Sequence, residues 1–416
     1  MSIEQKINYQ LNKYPAVKIV VKRIYQLLMY WLSPKIKSEG NIVRISPEGK
    51  GEYFFGYYDK SPWDSTGRYV LCMHSDDTWS EADATRSAEI VLIDTHNYNA
   101  VRTIATTETW NVQQGCMAQW LGPDFKSRIL YNDMTDGAYC SKILNLEDGS
   151  ETILQMPVYS VSADGKTALS LDFSRLHNLR PGYGYAMLEE RTKDTSLPDA
   201  TAVWKIDLET DEVVNLLTYK DFASFNPRPE MLLPETVHKV NHLMLSPDGK
   251  RFMVLYRWFC GQRKYTRLIT CNTDGSEMFL LSDDDMVSHC YWKNNREIVA
   301  FENKHGEGTG YYLMRDKTSE YRRLWKDISN DGHPSCSPSD ENVFVFDTYP
   351  DKTRVQELKI GNVNYDKPDV VARVFSPFRY DNDTRCDLHP RWDRDGKRIC
   401  FDATFEGYRG VYVVNI

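Results

Sequence analysis

Ser246-Pro247-Asp248-Gly249-Lys250-Arg251, followed by FMVLYRW at 252–258, is a tight Pro-Asp-Gly turn opening a β-rich run. The same unit returns as Asp393-Arg394-Asp395-Gly396-Lys397-Arg398 before ICFDAT. Looser copies are Asp64-Ser65-Thr66-Gly67-Arg68 before YVLCMHS and Ser162-Ala163-Asp164-Gly165-Lys166 before TALSLDF. Turns after Trp120, Trp292 and Cys336 lead into RILYNDM, EIVAFEN and NVFVFDT, which makes seven units. Each continues into another strand ending in a polar turn, such as IVLIDTHN or KILNLEDGS. Four short strands per repeat is the blade of a β-propeller, so the fold expected is all-β and seven-bladed, over residues 41–416.

Aligned on Trp392, the units fall at 63, 120, 161, 245, 292, 336 and 392, and the interval from 161 to 245 is long enough to hold an insertion. VYVVNI at 411–416 leaves its blade one strand short, and Asn41–Ile45 supplies a strand before the first unit. Pairing the two would close the ring and remove an exposed sheet edge.

Composition fits this reading and narrows the function. Hydrophobic residues make up 41% and charged residues 26% of the 416, enough apolar material for a full core. A net charge of −8 argues against binding nucleic acid through bulk electrostatics. The nine cysteines show no CxxC spacing and no disulfide framework. P-loop, GxGxxG, GxSxG and HExxH motifs are absent, which argues against nucleotide-dependent chemistry and a serine hydrolase.

Residues 1–40 precede the repeats, and 14–33, YPAVKIVVKRIYQLLMYWLS, reads as an amphipathic helix started by Pro15 and flanked by Lys13, Lys35 and Lys37. Its apolar run is shorter than the ~20 residues needed to span a bilayer, and no signal-peptidase site follows. Two placements stay open: a peripheral contact with the inner face of an anionic membrane, or packing on the propeller. With a secretory signal disfavoured, the expected location is cytoplasmic, peripheral on the inner membrane face if the helix lies on the bilayer.

The residue three before the Trp392 position is Lys60, Met117, Val158, His242, His289, His333 and His389, so four of nine histidines share one repeat position. That position begins the innermost strand, where blades converge on the axis. Four imidazoles there suit a divalent metal such as zinc or manganese, or a substrate; the alternative is that each caps its blade on neighbouring backbone. Cys290, Cys336, Cys386 and His238 are further ligand candidates close in sequence. In the long interval, DFSRLHNLRPGYGY (172–185) gathers Arg175, His177, Arg180, Tyr183 and Tyr185 on a Gly/Pro-stiffened loop. It reads either as an ordinary inter-blade loop or as a glycan-binding lip with an arginine for a carboxylate. GYYDKSPW (56–63) brings Tyr57, Tyr58 and Lys60 toward the same mouth.

GYYDKSPWDSTGR, SRLHNLRPGYGY, HPSCSP and DLHPRWDRDGKRICFDATFEGYRGVYVV resemble propeller-type polysaccharide lyases. The blade pattern and inner-strand histidines are similar to oligogalacturonate lyases, and the Tyr/Arg-rich loops to ulvan lyases. The resemblance covers roughly 41–416. It implies β-elimination on an acidic, uronate-containing polysaccharide or oligosaccharide: a base removes the proton α to the carboxylate, a cation neutralises it, and an acid protonates the leaving oxygen. It implies a metal held by His242, His289, His333 and His389, with Gln113 or Gln114 as an extra ligand. In the ulvan-type arrangement Arg175 would neutralise charge and Tyr159 or Tyr183 transfer the proton, with His177 as an alternative base. A rival from another class is a non-catalytic propeller binding glycan or protein at the inner membrane during surface-polysaccharide assembly.

Overall fold

Seven antiparallel sheets of the computed structural model, which describes residues 15–34, 36–81 and 83–416, stand around one axis. Lys13, Tyr14 and Lys35, counted above with the N-terminal segment, lie outside those residues. The blades begin with innermost strands Glu52–Phe54, Gln119–Trp120, Ser160–Val161, Val237–Leu245, Val287–Trp292, Ser335–Cys336 and Arg391–Trp392, and are numbered one to seven in that order. The expected seven-bladed β-propeller is the fold.

Its closure is also as expected. Ile42–Arg44 completes blade seven, with Ile42 opposite Val414 and Arg44 opposite Tyr412 on strand Gly410–Asn415. Ser38–Glu39 adds something the repeats do not show: it pairs with Asp369–Phe375 as a fifth strand on the outer edge of blade six.

The recurring tryptophans have a physical reason. Trp120 Nε1 donates to the Pro62 carbonyl at 2.8 Å, Trp292 to Met244 at 3.0 Å and Trp392 to Ser335 at 3.0 Å. In each case the acceptor sits one residue before the aligned position of the preceding blade. At these three positions the Trp is a hydrogen-bonded staple between neighbouring blades, buried in the apolar wedge between them, whereas Trp63 Nε1 is buried without a partner. The Asp-Gly turns pack equally closely: Gly165 has φ +72°, and a Cβ there would lie 2.3 Å from the Gly122 carbonyl oxygen of blade two.

Helix α1 (Pro15–Leu32) docks on blade six through Tyr30, whose ring lies 5.3 Å from Phe375 and 5.5 Å from Phe378, and through an Arg23–Asp381 ion pair at 3.1 Å. No described helix is long and apolar enough to cross a membrane. The long interval inserts α2 (Phe173–Asn178) and a loop reaching Ala200 between the second and third strands of blade three. Helix α3 (Tyr219–Ser224) and a 3₁₀ turn (Pro229–Leu232) then lead into blade four.

Candidate active site and metal centre

The axial channel is divided by a detour in blade one. Its inner strand pairs Phe54 with Met73, leaves the sheet at Phe55, and returns at Trp63 opposite Val70. The detour carries Tyr57 and Tyr58 to the axis. Tyr58 Oη donates to the Cys290 carbonyl of blade five at 3.0 Å, and its ring lies 5.2–6.3 Å from those of His242, His289, His333 and His389. The four imidazoles thus gather around a buried tyrosine.

Below the detour lies a cavity of about 520 Å³ lined by Trp120, Trp292, Trp392, Cys336 and the Asp59–Lys60 pair. The tryptophans sit three residues beyond the histidine position, roughly 10 Å along a strand. Lys60 therefore faces this opposite end of the channel rather than the histidine mouth, held at 2.7 Å by Asp59.

Among the described residues the convergent ligand group is His333, Asp387 and His389, whose donor atoms lie within 4.8 Å of one another. His333 and His389 stack edge to face at 4.2 Å, and His289 lies 4.1 Å from His333. Neither His242 nor His289 is part of the convergent group, which corrects the four-histidine expectation. Asp387 takes a place that sequence reading missed, although Asp-x-His spacing is a recognisable signal. Asp347 fixes both histidines: its carboxylate accepts from His333 Nδ1 at 2.8 Å, from the His333 backbone N–H at 2.7 Å and from the His389 N–H at 3.1 Å. Asp331 does the same for His289 Nδ1 at 2.9 Å. Such contacts turn the other ring nitrogen, Nε2, toward the axis as a free ligand. His389 holds φ +44°, a left-handed backbone that persists only where its surroundings enforce it.

This donor set fits a divalent cation. The Nε2 atoms of His333 and His389 are buried without a partner, as are His242 Nε2 and Gln114 Oε1. Burial pulls the His333 imidazole down, but the carboxylates of Asp347, Asp387 and Asp331 more than offset it, so the pocket favours positive charge. Arg385 grips Asp387 at 2.5 and 2.8 Å; burial raises that carboxyl, while Arg385, His333 and His289 bring it below its usual range.

The remaining sequence candidates divide. Arg175 is 1% exposed and spends its guanidinium on Glu190 at 2.5 Å and on the carbonyls of His238, Thr192, Thr195 and Ser196. It staples the insertion loop and has no N–H left for a substrate carboxylate, a correction to the clamp assigned to it. His177 is tied by Tyr183's carbonyl at 3.2 Å and Asp83 at 3.1 Å, so both ring nitrogens are engaged and it is no free base. Tyr159 is fully buried, with Oη between Gln114 Nε2 at 2.8 Å and His242 Nδ1 at 3.0 Å; it orients His242 rather than reaching the mouth. His238 likewise has both nitrogens occupied, by Met231 O and Tyr256 Oη. Gln113 bonds the Arg385 carbonyl. None of the four cysteine and histidine extras joins the convergent group.

Arg180 and Tyr183 do reach the site. Arg180 lies 3.7 Å over the Tyr183 ring, and Tyr183 Oη is buried without a partner 6.3 Å, ring to ring, from Tyr57. Burial holds Tyr183 protonated, Arg180 opposing and Asp387 reinforcing it. Burial, then the charges of Lys60, His289 and Arg257, hold His242 well below the ordinary histidine range, hence neutral. Arg257, Lys239 and Tyr349, unmarked by any motif, complete the mouth.

Solved structures match this chain in shape. Oligogalacturonate lyase from Vibrio parahaemolyticus is 12% identical and superposes with a TM-score of 0.62, over 90% of this chain and 93% of its own. An oligogalacturonate lyase in complex with manganese is 15% identical, TM-score 0.62, over 92% and 95% of the two chains. Prolyl endopeptidases align at 11% identity and TM-score 0.50, over 88% of this chain and 49% of theirs. At these identities the likeness establishes the propeller fold. No protein-family model and no curated protein matches the chain.

Proposed function

We propose that the protein is a lyase cleaving an acidic, uronate-containing oligosaccharide or polysaccharide by β-elimination, with a divalent manganese or zinc ion in the mouth. The observation that carries this reading is the pairing of an orphaned, carboxylate-backed His333–Asp387–His389 group with the unpaired cations and free Tyr183 hydroxyl facing it. His333, Asp387 and His389 would hold the ion, with His289 beside them. When bound, the ion supplies charge that neutralises a substrate carboxylate and so stabilises an enolate developing next to it.

The chain's own residues divide the proton work. His242 is neutral and its Nε2 unpartnered, so it takes the proton α to the carboxylate. Tyr183, kept protonated by burial, donates to the leaving oxygen as the C–O bond breaks. Arg180, lying over the Tyr183 ring, adds positive charge beside the leaving oxygen, and Tyr57 closes the floor against water.

The test combines elemental analysis of purified protein with absorbance at the unsaturated-uronate band during incubation with oligogalacturonate and other uronate glycans. One equivalent of metal with rising absorbance supports the reading; metal-free protein that produces no chromophore on the panel, with manganese or zinc added, sinks it.

Helix α1 favours a second reading, a non-catalytic glycan- or protein-binding propeller on the inner membrane face. Val17, Val20, Ile24, Leu28 and Trp31 form one exposed stripe at helical spacing, with exposed Lys22 beside it. In this reading the protein is cytoplasmic and peripheral. Flotation with anionic vesicles, lost in a Val20→Asp/Leu28→Asp variant, supports it; equal flotation of both proteins refutes the contact.

A further inference from the structure

Blade four concentrates basic side chains that no described carboxylate pairs with. Its two inner strands set Lys239 directly opposite Arg257. The register slips between Val240 and His242, so Asn241 is the extra residue of a β-bulge. Without the bulge Lys239 and His242 would point to opposite faces; with it they share the face of Arg257 and Leu255. Lys264, exposed at the rim, and Arg180, half-buried above Tyr183, complete the group.

None of these four basic side chains forms an ion pair with a described residue, although ion pairs are abundant elsewhere on the chain. Lys239 is 1% exposed and its Nζ has no partner; Arg257 is 4% exposed and donates only through Nε, to Thr266 Oγ1 at 3.1 Å. Like charges directly opposite on a sheet destabilise it, and a buried unpaired charge costs more. The crowding weakens the hold of these groups on their protons. Arg257, then burial and Arg180, push Lys264 down to about 8, with Asp331 opposing; burial and Arg180 push Arg257 down to about 10. Burial, Arg257, Arg180 and Lys264 push Lys239 well below the ordinary lysine range. A fold keeps such a local conflict where a ligand resolves it.

We propose that Lys239, Arg257, Lys264 and Arg180 form an anion well, separate from the histidine–carboxylate group, that binds a second acidic group of the ligand. Its chemistry is that of a glycan carboxylate or sulfate ester. The inference deepens the lyase reading, because one acidic group would sit at the metal group and the next in the well. A substrate with acidic groups on successive sugars is then favoured over one with a single acid. The well itself needs no catalysis to bind.

The test is calorimetric titration of the full, chelator-treated chain with sodium sulfate at pH 8, in two buffers of unequal ionisation enthalpy. An anion lying against Arg257 cancels its field on the lysines, so saturable binding should draw protons from the buffer. Lys264 alone, with its value near 8, accounts for about half a proton. Lys264→Gln, at an exposed position, should lower that uptake, and Arg257→Gln should weaken sulfate at least tenfold while raising the melting temperature of the free protein. Digalacturonate should displace sulfate, and monogalacturonate should do so at least tenfold less well. Absence of saturable sulfate binding, or equal binding by Arg257→Gln, overturns the proposal. Sulfate binding in a protein that makes no unsaturated uronate would sink the lyase reading and leave the well standing.

Discussion

Asp347→Asn is the most informative single change. The carboxylate is 1% exposed and serves three donors at once: the His333 N–H, the His333 Nδ1–H and the His389 N–H. An amide of the same shape keeps one oxygen and turns an NH₂ toward the remaining donors. Charge-assisted hydrogen bonds contribute about 1.5–3 kcal/mol each, and a buried donor left unpaired costs about 1–3 kcal/mol. Allowing one bond to survive and some relaxation, the loss of folding stability should be about 2–4 kcal/mol. Urea unfolding followed by tryptophan fluorescence, in chelator, reads this term alone. The same substitution frees the His333 imidazole from its orientation and loosens the backbone at His389, and losing such outer contacts lowers metal affinity about 10–100-fold. That is about 1.4–2.8 kcal/mol of binding free energy, read by titrating zinc or manganese into the folded variant. Wild-type affinity within twofold together with an unchanged urea midpoint would show that Asp347 neither braces the histidines nor backs a ligand set.

Three further outcomes follow from the geometry. Trp292→Phe removes the staple to the Met244 carbonyl and leaves that acceptor buried, so stability should fall by about 1–3 kcal/mol with metal binding untouched; an unchanged melting curve would deny the staple. Arg175→Met strands Glu190 in the interior and should destabilise by about 3–5 kcal/mol, whereas Arg180→Met, without an ion pair to break, should keep the wild-type melting curve and lose turnover; the reverse pattern would restore Arg175 to the mouth. Burial raises Glu302 from 4.5 to about 7, with Lys304 only partly opposing, so an acid is held protonated in the fold. The unfolded chain releases that proton first, and stability therefore falls as pH rises from about 4.5 to about 7 and levels above. Glu302→Gln should flatten this slope and gain about 1–3 kcal/mol at pH 8, measured by urea titration across the range.

What could be read from the sequence is what each blade repeats for itself. The Asp-Gly turns, the staple tryptophans and the histidine column recur, each in a subset of the blades, because neighbouring blades meet in the same local geometry. The missing strand of blade seven was visible for the same reason. Contacts that cross between distant segments leave no such trace. Asp347 and Asp387 act on histidines in two different blades, and Lys239 meets Arg257 only through pairing displaced by a bulge. Arg175 and Arg180 share one loop and one composition, yet one is sealed under Glu190 and the other stands free at the mouth; burial separates them, and burial is a property of the folded ring. Lys60 falls on the histidine position by alignment, but the tyrosine detour shifts it to the other end of the channel.

The arm at 38–44 touches two sheets in succession, lying on blade six and completing blade seven. During synthesis this arm emerges before its partner on Gly410–Asn415, which follows every intervening blade. Until then the nascent chain carries an open sheet edge on each side and, beside one of them, a helix with an apolar stripe. Pairings this far apart in sequence are slow to form and prone to association while they wait. The seam where the ring shuts is accordingly the place where a chaperone would have to hold the unfinished protein, and where a small truncation at 410–415 would convert a closed ring into an aggregating one.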